Sequence, residues 1–119
     1  MEYITGMLSN FNTESINDVF IITIHLQEAR IEQAFEFNKI LSDAIDKGFK
    51  KVLIDLSEVK FIDSTFLGSL IINLRIICAA NGKFKLVGLN TNINTMFIQT
   101  NLNNIFEISK TRIEALHNI

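Results

Sequence analysis

The stretch from Val52 to Ala80, VLIDLSEVKFIDSTFLGSLIINLRIICAA, decides how the rest of the chain is read. Val52, Leu53, Ile54 and Leu56 form a short apolar run broken only by Asp55. Such a run predicts a strand covered by helices on both faces. Phe61 and Ile62 then lead into Asp63, Ser64 and Thr65. These residue types start helices, because their oxygens accept from backbone N–H groups that lack a partner in the first turn. Beyond the cap, Leu67, Leu70, Ile71, Leu74, Ile77 and Cys78 recur at helical spacing and define a stripe that should face the sheet. Thr65, Ser69, Ile72 and Ile76 fall on the opposite side. Two isoleucines there imply either a covering helix of the same domain or a surface that meets another protein.

Outward from this unit, strands and helices alternate. Tyr3 to Leu8 is a weak edge-strand signal, and Asn10, Asn12 and Asn17 predict a turn after it. Val19 to Leu26 is β-branched and apolar, a strand. A polar connection, Gln27 to Ile31, precedes a helix from Glu32. Ala34, Phe37, Leu41, Ala44 and Ile45 share one face of it, Phe35 falls off that face, and Gly48 ends it. Downstream, Asn81-Gly82 closes the second helix and Phe84 to Gly88 is a strand. A third helix opens at Asn90 to Asn94, with Ile93, Met96, Phe97 and Thr100 on one side. Ile105 to Ile108 is a last strand, and a final helix begins at Ser109 to Thr111, with Ile113 and Leu116 inward. Thr111 and Glu114 have the spacing of a capping box. The order β-β-α-β-α-β-α-β-α predicts an α/β domain with a mixed sheet and helical crossovers.

The 119 residues suit a single domain, 1–119, with one core. Hydrophobic residues make up 48% and charged residues 20%, which excludes a disordered chain. A formal charge of −2, with Lys and Arg dispersed apart from Lys50-Lys51, argues against nucleic-acid binding. No basic start followed by an apolar core marks a signal peptide, and no run is long enough to span a bilayer. A cytoplasmic location without membrane insertion is the expectation.

Few residues suggest chemistry. His25 and His117 have no carboxylate or cysteine at ligand spacing, so no metal site is expected. Cys78, the one cysteine, lies on the apolar stripe and is expected to be buried. No glycine-rich phosphate loop occurs, and Ser64 lacks the GxSxG turn of a nucleophile. Neither a catalytic residue nor a cofactor is expected. Ser64 is instead well placed to carry a phosphate, because a helix N-terminus offers N–H donors and partial positive charge. The modification adds about −1.5 to −2 charges beside Asp63. It would spare the fold and repel whatever packs there.

FIDSTFLGSL after VLIDLSEV resembles the core signature of STAS domains, the fold of bacterial anti-sigma-factor antagonists. The similarity extends to NGKFKLVGL and NLNNIFEI and covers most of the chain. In phosphorylated members the modified serine follows the aspartate of the DS motif, which is Ser64 here, with Thr65 as a second hydroxyl beside it. The resemblance implies partner switching. The unphosphorylated protein binds an anti-sigma serine kinase, phosphorylation of Ser64 ends the binding, and a PP2C-type phosphatase restores it. Asp63, Ser64, Thr65, Phe66, Gly68, Ser69, Ile72 and Ile76 would form the docking surface. A STAS subunit of a membrane transporter or sensory scaffold, docked permanently, is the alternative. Two positions depart from the family pattern. Phe66 replaces the usual glycine two residues after the serine, which puts a bulky ring near the hydroxyl. Ala29-Arg30-Ile31-Glu32 stands where Gly-Glu-Leu-Asp is usual.

Overall fold

A computed structural model describes residues 10–119, so the expected strand at Tyr3 to Leu8 lies outside the described residues. The segment read as a turn is mostly a strand: β1 (Phe11–Ile16) pairs antiparallel with β2 (Val19–Ile24). Only Asn17 and Asp18 turn, with Asn17 in the left-handed region at φ 56°. An asparagine tolerates that conformation because its short side chain bonds locally.

From β2 the chain passes through β3 (Glu28–Ala29) into α1 (Ile31–Asp46), then β4 (Lys51–Asp55) and β5 (Phe61–Ile62). The second helix is α2 (Ser64–Ala79), followed by β6 (Lys83–Val87) and α3 (Thr91–Gln99). A short 3₁₀ turn, β7 (Glu107–Ser109) and α4 (Arg112–His117) complete the chain. The main sheet has the order β1-β2-β4-β6-β7, and only β1 runs antiparallel. From β2 onward the expected alternation of strands and helices is present, with β1 in a segment expected to turn and with β3 and β5 added as a separate parallel pair.

The helices divide the sheet unequally. Val52, Ile54 and Leu86 meet Phe37 and Leu41 of α1, Phe66 and Leu70 of α2 and Phe97 of α3 in the large core. Val19, Ile21, Leu53 and Val87 point the other way and are covered by Ala115 of α4. Both faces of β4 are thus buried, which explains its nearly unbroken apolar run. Gly48 adopts φ +97° after α1, as expected of a glycine that ends a helix. Gly82 is required for a different reason. A Cβ there would lie 2.2 Å from the Lys50 carbonyl oxygen and 2.7 Å from Ile77 Cγ2.

Two inward expectations fail. Ile113 is 82% exposed, because Ala115 is the residue of α4 that meets the sheet and Leu116 packs at its margin. Cys78 is exposed at the last turn of α2, where the stripe runs past the edge of the core.

Polar groups hold α4 to the sheet. Arg112 Nε donates to Asp55 Oδ2 at 3.0 Å, Nη1 donates to Glu14 Oε2 at 2.9 Å, and Nη2 donates to Thr23 Oγ1. Buried Lys85 reaches the Ala115 carbonyl at 3.4 Å. Burial alone would raise the Asp55 pKa, but hydrogen bonds from Ser57 and the Arg112 guanidinium outweigh it and hold the carboxyl below its ordinary value. Arg112→Ala leaves this buried carboxylate without its cation, and urea unfolding should show a loss of about 2 kcal/mol, discounted because Arg112 is one-third exposed. A depressed carboxylate pKa stabilises the fold above the unfolded value and loses that contribution as pH falls through the folded value. The gap between parent and variant should therefore be widest near neutrality and should narrow below about pH 4.

Candidate functional site

Asp63 joins two helix starts. Its backbone is extended at φ −80°, ψ 171°, and its N–H donates to the Ala29 carbonyl at 3.0 Å. Oδ1 accepts from the Phe66 N–H at 2.8 Å, which caps α2. Oδ2 accepts from the Ile31 N–H, also at 2.8 Å, at the first residue of α1. The cap was legible in the sequence. The second bond was not, because it spans 32 residues. The Phe66 N–H, then the Ile31 N–H and the nearby positive Arg30, hold the Asp63 carboxyl below its ordinary pKa against an opposing effect of burial. The group is thus a carboxylate at neutral pH, matched to the positive ends of both helices.

The helices it joins run side by side in parallel, since each crosses between parallel strands on the same face of the sheet. Asn38 of α1 fixes their register. Its amide donates to Ser69 Oγ at 3.2 Å and its carbonyl oxygen accepts from Asn73 Nδ2 at 2.8 Å. At that register, Ile31 stands level with Ser64 and Phe35 level with Gly68, by the rise per residue.

Ser64 and Thr65 are exposed at the mouth of this pair. Ile72 and Ile76 are 58% and 47% exposed, so no described helix covers them. A side chain at Gly68 would meet nothing within 4 Å, so the position is an open notch between the two helices' outer faces. The structure adds Ile31, 59% exposed, and Phe35, 80% exposed, to this surface. Phe35 was visible only as a residue out of phase with the buried face of its helix.

Two residues leave the expected surface. Phe66 is fully buried, with its ring 4.8 Å from Phe37 and 6.4 Å from Phe11 between centroids. The ring is therefore part of the core and not of the exposed surface expected around Ser64. Ser69 is 5% exposed and engaged by Asn38, so it lies in the contact between the two helices and not on the exposed surface. What remains is Asp63, Ser64, Thr65, Gly68, Ile72 and Ile76, joined by Ile31 and Phe35. Among the described residues, no group of three or more His, Cys, Asp or Glu side chains could hold a metal, and no helix is long and apolar enough to cross a membrane. His25 Nδ1 lies 2.8 Å from Glu58 Oε2 in an exposed pair.

A family model of the STAS domain matches residues 10–115. A Thermotoga neapolitana protein provisionally named an anti-sigma factor antagonist is 34% identical over 110 residues, covering 92% of this chain and 96% of that protein. The crystal structure of a protein with the same provisional name from Thermotoga maritima superposes with a TM-score of 0.83 at 32% identity, covering 92% of this chain and 93% of that one. The Bacillus cell fate determinant SpoIIAA, solved in its phosphorylated form, superposes with a TM-score of 0.72 at 19% identity, covering 91% of this chain and 97% of that one. At that identity the likeness speaks for the fold.

Proposed function

The chain belongs to the STAS domain family, and on that premise we propose that it is an anti-sigma-factor antagonist switched by phosphorylation of Ser64. The unphosphorylated surface around Ser64 binds an anti-sigma serine kinase, which then releases its sigma factor. In the off-step, Ser64 Oγ attacks the γ-phosphorus of ATP on that kinase. The bond to the ADP oxygen breaks, and the hydroxyl proton passes to a base of the kinase. A PP2C-type phosphatase hydrolyses the phosphate ester with water and returns the hydroxyl and inorganic phosphate.

The supporting observation is the juxtaposition of an exposed hydroxyl with exposed apolar side chains on two helices that one carboxylate ties together. Apolar contacts of this kind supply docking energy, and nearby charge decides whether docking is tolerated. A phosphate at the first turn of α2 is compatible with the helix, yet it must be desolvated when a partner covers it.

The test is affinity capture from the source cells with wild type, Ser64→Ala and Ser64→Asp, alongside mass spectrometry of Ser64. We expect an anti-sigma kinase captured by wild type and Ser64→Ala, with binding to Ser64→Asp weakened tenfold or more. Ser64 free of phosphate under every growth and stress condition, with Ser64→Asp binding normally, would refute the switch. Retention of a permease or a sensory ATPase by all three baits would instead establish permanent docking.

A further inference from the structure

Across the short β3–β5 ladder, Glu28 pairs with Phe61 and Ala29 with Ile62. Ala29 and Ile62 are buried, so the alternate positions Glu28, Arg30, Phe61 and Asp63 share the outward side. The Asp63 N–H bond to the Ala29 carbonyl continues the ladder and sets Arg30 beside Asp63, one residue from Ser64. The guanidinium is engaged along the ladder by Glu28 and Phe61. Its Nη2 lies 2.6 Å from Glu28 Oε1, Nε donates to the same oxygen at 2.8 Å, and Cζ sits 5.3 Å from the Phe61 ring centroid. The carboxylates facing it are Glu28, Glu32 and Asp63. Glu28 and Arg30 are both exposed, and an exposed pair of single charges is held weakly in water.

We propose that Arg30 is the receptor for the phosphate on Ser64. On phosphorylation the guanidinium leaves Glu28 and swings along the ladder to the phosphate. It pairs there through two N–H groups and lies between the new charge and Asp63. A phosphomonoester carries up to twice the charge of Glu28 and offers three acceptor oxygens in a geometry that suits the guanidinium fork. The consequence is mechanical. With Arg30 in place, Asp63 keeps its bonds to Ile31 and Phe66 and both helix starts stay closed. Without it, phosphate and carboxylate repel each other at adjacent residues, and Asp63 loosens its hold. The inference rests on Ser64 being the phosphorylated residue. It assigns a function to the position where this chain departs from the usual family pattern.

The test installs phosphoserine at position 64 during translation, in the full chain and in Arg30→Gln and Glu28→Gln variants. The ³¹P resonance is followed through its second ionisation. The phosphate should titrate about half a unit or more higher in Arg30→Gln than in the parent. It should titrate lower in Glu28→Gln, where the guanidinium is free. The amide resonances of Ile31 and Phe66 should change little on phosphorylation of the parent and shift clearly on phosphorylation of Arg30→Gln. Identical ³¹P titrations with and without Arg30 would overturn the proposal. Because the phosphate is installed without a kinase, that result leaves the cellular switch standing. Absence of Ser64 phosphate in cells would refute the switch and leave the measured pairing intact.

Discussion

Phe66→Gly, the substitution that restores the usual family residue, is expected to destabilise this domain by about 4–6 kcal/mol. Truncating a buried Phe costs about 3–5 kcal/mol through lost transfer energy and the cavity left behind. Glycine within a helix costs about 1 kcal/mol more than alanine. The site has little freedom to collapse, because Phe66 packs in one three-ring cluster with Phe37 of α1 and Phe11 of β1. β1 presents no other buried side chain to the core, so the loss should also loosen the edge of the sheet. Domains of this size are stable by roughly 5–15 kcal/mol, and the variant should be close to unfolding at room temperature. Urea titration by circular dichroism, with Phe66→Leu as the volume-sparing control, measures this. A loss under 2 kcal/mol for Phe66→Gly would show that the ring is not the packing element described above.

Phe66 also marks what sequence alone could and could not supply. It stands four residues before Leu70 and eleven before Ile77, in phase with the inward face of α2. The period was sufficient to place it. Its nearness to Ser64 suggests bulk beside a hydroxyl, whereas the structure places the ring in the core. The strand–helix unit from Val52 to Ala80 was legible because its signals are local: an apolar run, a cap and a stripe. Strand β1 was not, because FNTESI contributes one buried side chain and owes its conformation to pairing with β2. The Asp63 bond to Ile31 and the Asn38 bonds to Ser69 and Asn73 join segments more than 30 residues apart. Polar residues at a helix–helix contact look like solvent-facing ones until the partner helix is in place. Helical spacing therefore groups Ser69 with Ile72, three residues on, although the structure buries the first and exposes the second.

Phe35→Asp combined with Ile72→Asp is expected to weaken binding of the anti-sigma partner by a hundredfold or more while leaving the domain folded. The two side chains flank the open notch at Gly68 on adjacent helices, at 80% and 58% exposure. Removing an aromatic anchor at the centre of an interface typically costs 2 kcal/mol or more, and 1.4 kcal/mol is tenfold in affinity. Placing carboxylates there adds a desolvation cost on the same side of the balance. Exposed side chains away from caps and buried networks contribute within about 0.5 kcal/mol to folding, so the urea midpoint should barely move. Titration calorimetry against the purified partner separates the two effects. Ile113→Asp provides the control: it is as exposed as Phe35 but lies on α4, across the sheet from α1 and α2, and it should bind like wild type. Equal weakening by Ile113→Asp would mean that the partner does not choose the α1–α2 face. Undiminished binding by the variant carrying both changes would remove Phe35 and Ile72 from the docking surface.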